Sequence, residues 1–420
     1  MNHDILKEVI FDQQEVIRKI LIFPREYKFD ENADYVLVGL RRAGKSTMLY
    51  KIVQDLIAKG ADWNQIIYIN FEDERLSEFT AKDFNDIPEV QAELSDKKGY
   101  FFLDEIQNID GWEKFSRRLA DSKKRTYITG SNAKMLSGEI ETTLGGRYLT
   151  KFISPYNFRE FLTANTLSFD EKSILQTAYR GKIKRAFNEY LIYGGFPESL
   201  SYQNKREYVS SIYQKILLGD IATRNNIRNV NALKIMMKKL AESVKDEISF
   251  TKLHNILKTI GITVSKDSII DYVGYAQESY LIFAVRNYFA KFAEKESNPK
   301  YYFGDNGLLH LFLNDTDTAL LENLIAVTLS QKYTGEVYYL KSEKTGLDID
   351  FYIPQTGTAV QVAWSIRNIS NNREIENLIK AASVMPAVKR FVIITYEEED
   401  SLTINGVTVE VIPAWKWLLL

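Results

Sequence analysis

The sequence predicts an α/β protein whose first part is an open parallel sheet, and three observations predict it. Residues 35–57 set an apolar run, a Gly-x-x-x-x-Gly-Lys-Ser loop and an amphipathic helix in direct succession. A second apolar run, Tyr100 to Leu103, ends on the acidic pair Asp104-Glu105. Between and beyond these, short apolar runs alternate with helix-patterned stretches as far as Pro155, the signature of strands joined by crossover helices.

Each element follows in order. Met1 to Lys19 mixes Asp4, Glu8, Asp12 and Glu15 with apolar positions, a helix pattern and not a signal peptide. Ile22-Phe23-Pro24-Arg25 breaks that periodicity and leads to the first strand, Tyr35–Val38. After the loop, Met48, Leu49, Ile52, Val53, Leu56 and Ile57 share one helical face. A connection through Gly60 leads to a second strand, Ile66 to Phe71, and a polar, mostly helical stretch leads to the third, Tyr100–Leu103. Thr126–Thr129 is the fourth and runs into Gly130-Ser131-Asn132. Leu144-Gly145-Gly146-Arg147 precedes the fifth, Tyr148 to Ile153.

The loop is a phosphate cradle in which Gly39, Leu40, Arg41, Arg42, Ala43, Gly44, Lys45, Ser46 and Thr47 wrap a nucleotide's phosphates with backbone N–H groups at a helix N-terminus. Lys45 is expected to reach the β and γ oxygens and the Ser46 hydroxyl to hold Mg²⁺. Asp104 joins the Mg²⁺ shell, and Glu105 is the candidate to polarise an attacking water. Ser131 or Asn132 can sense the γ-phosphate from the edge of the fourth strand, although turn chemistry explains Gly-Ser-Asn equally well. A contact with phosphate, with solvent or with another subunit suits Arg41 and Arg42 alike.

Composition bounds the rest. A chain of 420 residues exceeds one hydrophobic core, so two to four domains are expected. A net charge of −2 gives no global pull toward nucleic acid or anionic lipid, so any such contact needs a local basic patch. The absence of cysteine excludes disulfides, thiolate zinc sites and cysteine nucleophiles, and fits a cytoplasmic location. His3, His254 and His310 are scattered without ligand spacing, and no apolar run reaches the length of a membrane span.

Taken together, the Walker-type loop, the Asp-Glu strand end and Thr129-Gly130-Ser131-Asn132 resemble the P-loop AAA+ ATPase core. Several segments resemble more narrowly the prokaryotic, archaeal-ATPase-like AAA proteins that carry a C-terminal DUF4143 domain. They are Ile69-Asn70-Phe71-Glu72-Asp73, Leu103-Asp104-Glu105-Ile106-Gln107, Leu144-Gly145-Gly146-Arg147, Ser154-Pro155-Tyr156-Asn157-Phe158-Arg159-Glu160-Phe161 and Tyr193-Gly194-Gly195-Phe196-Pro197-Glu198. The resemblance implies ATP and Mg²⁺ as ligands, and a homo-oligomer in the nucleotide-bound state in which Arg147 reaches a neighbour's γ-phosphate. An arginine after Gly-Gly can equally pair with a surface acid.

Beyond the core, the resemblance implies a helical lid over 156–225, with Ile183, Phe187 and Tyr190 on one helical face. A winged-helix domain is expected over 226–299, its strand pair at 280–282 and 283–285. Its helix offers Lys266 but also Asp267, Asp271 and Glu278, a poor surface for reading DNA. The segment 300–420 resembles a PD-(D/E)xK nuclease-like α/β domain, with Glu322 and Asp350 in place. Gln361 and Ala363 replace the acid and lysine that such a site needs, Asp348 could compensate in part, and Lys341 or Lys344 could supply the cation. The expectation is an ATPase that moves these domains, with a partner, DNA or protein, that the sequence does not identify. The alternatives are a nucleotide-gated switch with slow turnover and a DNA-processing enzyme with residual cleavage.

Overall fold

Strand β1 (Asp34–Val38) lies between β4 (Arg125–Gly130) and β5 (Tyr148–Phe152), while β3 (Tyr100–Asp104) and β2 (Ile66–Asn70) extend the sheet beyond β4. The structure is a computed structural model that describes residues 1–131, 142–313, 317–367 and 372–420. The chain forms two compact units, Met1–Ser154 and Pro155–Leu420.

The five strands of the first unit are all parallel, in the order β2-β3-β4-β1-β5. Strands buried on both faces need near-continuous apolar sequence, which is what Val36–Val38, Ile66–Ile69 and Phe101–Leu103 supply. In-register pairing sets Tyr35, Tyr127, Phe102 and Tyr68 in one row across four strands, each ring stacked on the next. Helix α2 (Lys45–Ala58) covers that row with Met48, Leu49, Ile52 and Val53, and Ile17 of α1 (His3–Lys19) joins the same core. Burying each such aliphatic side chain contributes about 1.5–3 kcal/mol. Gly39 ends β1 where the chains crowd: a Cβ there would lie 2.1 Å from the carbonyl oxygen of Ile153, so no other residue fits.

The second unit begins with helices, among them Phe158–Ala164, Thr177–Tyr193 and Lys205–Gln214, the last continuing as a π-helix over Lys215–Thr223. Ile183, Phe187 and Tyr190 are buried on one face of the long helix. The Tyr193-Gly194-Gly195 turn wraps a buried carboxylate: the Gly195 N–H donates to Asp305 Oδ2 at 2.8 Å. Gly194 has φ +73°, and a Cβ there would fall 1.8 Å from Asp305 Oδ1.

Three helices, Val230–Glu242, Phe250–Thr259 and Lys266–Glu278, lead into an eight-stranded mixed sheet. Its strands are β6 (Ile282–Asn287), β7 (Lys300–Phe303), β8 (Tyr338–Ser342), β9 (Leu347–Ile353), β10 (Thr358–Ala363), β11 (Arg390–Thr395), β12 (Asp400–Ile404) and β13 (Val407–Pro413), in the order β12-β13-β11-β10-β9-β8-β6-β7.

Two sequence expectations change here. Residues 280–285 do not form a strand pair: Tyr280 takes a left-handed turn at φ +58°, and the single strand β6 pairs antiparallel with β7 and parallel with β8. The β6–β7 pairing also crosses the expected boundary at 299/300. Strands β12 and β13 were not anticipated, although their turn residues Asn405 (φ +53°) and Gly406 (φ +79°) carry the conformation of a two-residue hairpin. The apolar helix Asp317–Lys332 packs against β7 and β10, and Asn372–Val384 packs against β9 and β10. Among the described residues no helix is long and apolar enough to cross a membrane.

Candidate nucleotide site

The phosphate loop, the Asp104-Glu105 pair and Ser131 meet at the C-terminal edge of β1, β3 and β4, where open parallel sheets bind ligands. Lys45 opens α2 and is buried, its ammonium donating to the carbonyls of Gly39 at 3.0 Å and Leu40 at 3.2 Å. The loop's left-handed residue Arg42 (φ +63°) gives it its bend. Arg41 bonds Glu72, beyond β2, at 3.0 Å, which ties the loop to the neighbouring strand end. Leu40 and Ala43 are buried, and Thr47 is half-buried in the first turn of α2.

Asp104 is 1 % exposed, and three hydroxyls donate to its carboxylate: Tyr68 at 2.7 Å, Thr129, and Ser46 at the head of α2. Burial pushes the Asp104 carboxyl above its usual range, and the neighbouring Glu105 adds to the shift, while the hydroxyls oppose it. The aromatic row of the core therefore ends in the site, since Tyr68 is both its last ring and a donor to Asp104. A buried carboxylate bonded to a serine hydroxyl offers hard oxygen donors, and these fit a divalent cation such as Mg²⁺.

Glu105 is held at φ +51°, ψ +39°, with its N–H donated to Thr129 Oγ1 at 2.9 Å. Thr129 thus fixes both acids. The Glu105 carboxylate accepts from Gln107 Nε2 at 2.5 Å and from Ser131 Oγ at 3.4 Å, both on Oε2. Asn132, the other sensor candidate, lies outside the described residues.

Arg147 is not brought to this edge. It precedes β5, whose first residue pairs with Asp34 at the N-terminal end of β1, and its Nε donates to Asp121 at 2.5 Å. Five residues of strand, about 16 Å, separate it from the loop edge of its own sheet.

Thr129 and Gln107 stand inside the Thr-Gly-Ser-Asn and Leu-Asp-Glu-Ile-Gln segments, where spacing alone assigns them no role, and no pattern marks Tyr68 or Arg25. The Arg25 guanidinium donates to the carbonyls of Ala43 (3.0 Å) and Ser154 (2.8 Å), bracing the phosphate loop from the segment before β1. β-sheet register brings in Tyr68 and the return of the chain brings in Arg25, so no local motif marks either.

A second cluster of charge lies in the second unit. Glu322 and Asp350 face Lys300 of β7, whose ammonium is 3.8 Å and 3.7 Å from their oxygens and 6 % exposed. Lys300 is thus the lysine beside these two carboxylates, whereas Lys341 pairs with Glu247 at 3.0 Å and Lys344 is exposed. Gln361 accepts the Asp350 N–H at 2.8 Å and donates to Glu374 at 2.7 Å, which brings a further carboxylate to the position where an acid was expected. Asp348 pairs with Arg373 at 2.6 Å. Burial pushes both the Glu322 and the Glu374 carboxyls up to about 7, with the Asp350 charge as the second cause for each.

With this geometry in view, the chain can be set beside known proteins. Over 429 aligned residues it is 32% identical to the uncharacterized protein MJ1544 of Methanocaldococcus jannaschii, spanning 99% of this chain and 95% of that one. The chain belongs to the MJ1544 family. An uncharacterized protein of Haemophilus influenzae is 30% identical over 393 residues, 91% of this chain and 94% of that one. Residues 31–162 match the family described as an AAA domain, so this member of the MJ1544 family carries an AAA-type ATPase domain. Residues 184–319 match a domain of unknown function, DUF8612, a different family from the DUF4143 expected. The Walker-type ATPase PABY2304 of Pyrococcus abyssi is similar at 12% identity over 73% of this chain and 95% of that one. The TM-score of that likeness is 0.40.

Proposed function

We propose that the first unit binds ATP with Mg²⁺ and hydrolyses it to ADP and phosphate. The observation that carries this is the convergence of Lys45, Ser46, Asp104 and Glu105 on one sheet edge, with Ser46 and Asp104 already hydrogen-bonded. Gly39 to Thr47 wrap the phosphates, and Lys45 exchanges its loop carbonyls for β and γ oxygens. Ser46 and Asp104 would hold the Mg²⁺, which would supply charge neutralisation at the phosphates. Glu105 orients a water and takes its proton as the water attacks the γ-phosphorus and the β–γ bridge bond breaks toward ADP. Ser131 steadies Glu105 and senses the γ-phosphate.

Arg147 serves a neighbouring copy, because its place at the opposite strand ends removes it from its own site; turnover per subunit then rises with protein concentration, and a flat dependence refutes it. The cycle rearranges the second unit, which we divide into a lid over 156–225, a winged-helix segment over 226–299 and a nuclease-like segment over 300–420. Nucleotide titration tests the binding step. Lys45→Ala is expected to weaken ATP binding by at least about 100-fold, since the hydrogen bonds a charged donor makes are worth about 1.5–3 kcal/mol each. Unchanged affinity would remove Lys45 from the phosphate site.

One observation supports a second reading: Lys300 and Glu374 restore the charge pattern that Gln361 and Ala363 remove. On that reading the second unit retains cation-dependent phosphodiester cleavage. Cleavage of DNA in Mg²⁺ or Mn²⁺ that is lost in Asp350→Ala supports it, and no cleavage in either ion retires it.

A further inference from the structure

We propose that Gln107 is a further catalytic residue of the ATPase centre, holding Glu105 with its amide nitrogen and the attacking water with its amide oxygen. This rests on the reading of Glu105 as the base. Three observations lead to it. Gln107 Nε2 donates to Glu105 Oε2 at 2.5 Å, so the amide faces the carboxylate directly. Gln107 Oε1 is buried and has no hydrogen-bond partner among the described residues, a condition that costs about 1–3 kcal/mol in a folded protein. The turn that carries both residues is built to hold this pairing: Ile106 between them is fully buried, the Asn108 N–H returns to the Glu105 carbonyl at 3.1 Å, and Glu105 sits in the left-handed region. A strained, fixed turn that leaves one acceptor unmatched beside a catalytic base is the arrangement expected where that acceptor serves the reaction.

The chemistry assigns each atom a role. Both Gln107 Nε2 and Ser131 Oγ donate to Glu105 Oε2, which leaves Oε1 of Glu105 as the oxygen that takes the proton. The water donates one O–H to Glu105 Oε1 and the other to Gln107 Oε1, and its lone pair turns toward the γ-phosphorus. As the new P–O bond forms, the β–γ bridge bond breaks, ADP carries away the bond's electron pair, and the water's proton passes to Glu105. A carboxamide orients the water without competing for its proton, because it is not basic at neutral pH. Fixing the nucleophile before attack is worth orders of magnitude in rate.

Steady-state turnover and ATP-analogue binding of the full chain test this, with Gln107→Leu, Glu105→Gln and the double variant. Gln107→Leu is expected to lower kcat about 30- to 1000-fold, with KM and the dissociation constant within about 3-fold of the wild type. The double variant should turn over no more slowly than Glu105→Gln alone, because two residues that act on one water are not additive. Should Gln107→Leu lose nucleotide binding, Gln107→Asn, which keeps an amide on a shorter stem, is held to the same criteria. Wild-type kcat in the Gln107 variant beside an inactive Glu105→Gln overturns the Gln107 role and spares the base. Wild-type turnover in Glu105→Gln overturns the base itself. Additive losses in the double variant reduce Gln107 to a structural residue.

Discussion

The two units each bury carboxylates at a sheet, and they neutralise them in different ways. In the first unit Asp104 is satisfied by three hydroxyls, from Tyr68, Thr129 and Ser46, a neutral set that leaves its charge for an incoming cation. In the second unit Glu322 and Asp350 share a buried lysine of their own, Lys300. Neutral donors keep a site waiting for a ligand, whereas a built-in ammonium lets the cluster stand as part of the fold. The difference separates a carboxylate with neutral hydroxyl partners from a cluster whose charges are already compensated in part.

Breaking the two centres should therefore have opposite consequences. The largest effect on stability is expected from Lys300→Met, which strands two buried carboxylates and should destabilise the chain by about 3–5 kcal/mol in denaturant unfolding. A loss below about 1 kcal/mol would mean that the carboxylates do not depend on this lysine.

Next in size is the buried Asp305 of the second unit, held by backbone N–H groups. Asp305 is pushed up to about 6 by burial, from 3.8, while backbone N–H groups of Gly195, Gly307 and Leu308 oppose the shift. A carboxyl whose folded pKa is raised binds its proton more tightly in the native state. Its contribution is therefore full below about pH 4 and is lost as pH rises through about 6, by about 3 kcal/mol in all. Asp305→Asn should flatten that segment of the stability curve, and an unchanged slope would assign the pH dependence to Glu322 and Glu374 instead.

The smallest effect should come from Asp104→Asn, within about 1 kcal/mol in stability, because the partners described at its carboxylate are neutral hydroxyls; its cost is expected in turnover. A large loss of stability there would show that Asp104 is structural.

How much of this was legible in the chain follows the same division. The Gly39–Ser46 loop and the Asp104-Glu105 strand end are each read from spacing along a short segment, and the sheet sets both at one edge. Tyr68 reaches Asp104 only through the register of β2 and β3, so no local pattern distinguishes it from an ordinary strand residue, and Thr129 stands in the Thr-Gly-Ser-Asn segment but reaches Asp104 only across the sheet. The second cluster was half legible. Glu322 and Asp350 are legible by position, whereas Lys300 enters from β7, away from the strands on which Lys341 and the Gln361–Ala363 positions lie. The hairpin of β12 and β13 was legible and missed, for Asn405-Gly406 is a strong two-residue turn signal.

The central claim, that the first unit is a hydrolytic centre with Glu105 as its base, is tested most directly by ATP turnover in Glu105→Gln. Removing a positioned general base typically costs about 10²- to 10⁴-fold. The account predicts that fall in kcat with ATP affinity preserved. Turnover equal to that of the wild type would contradict it.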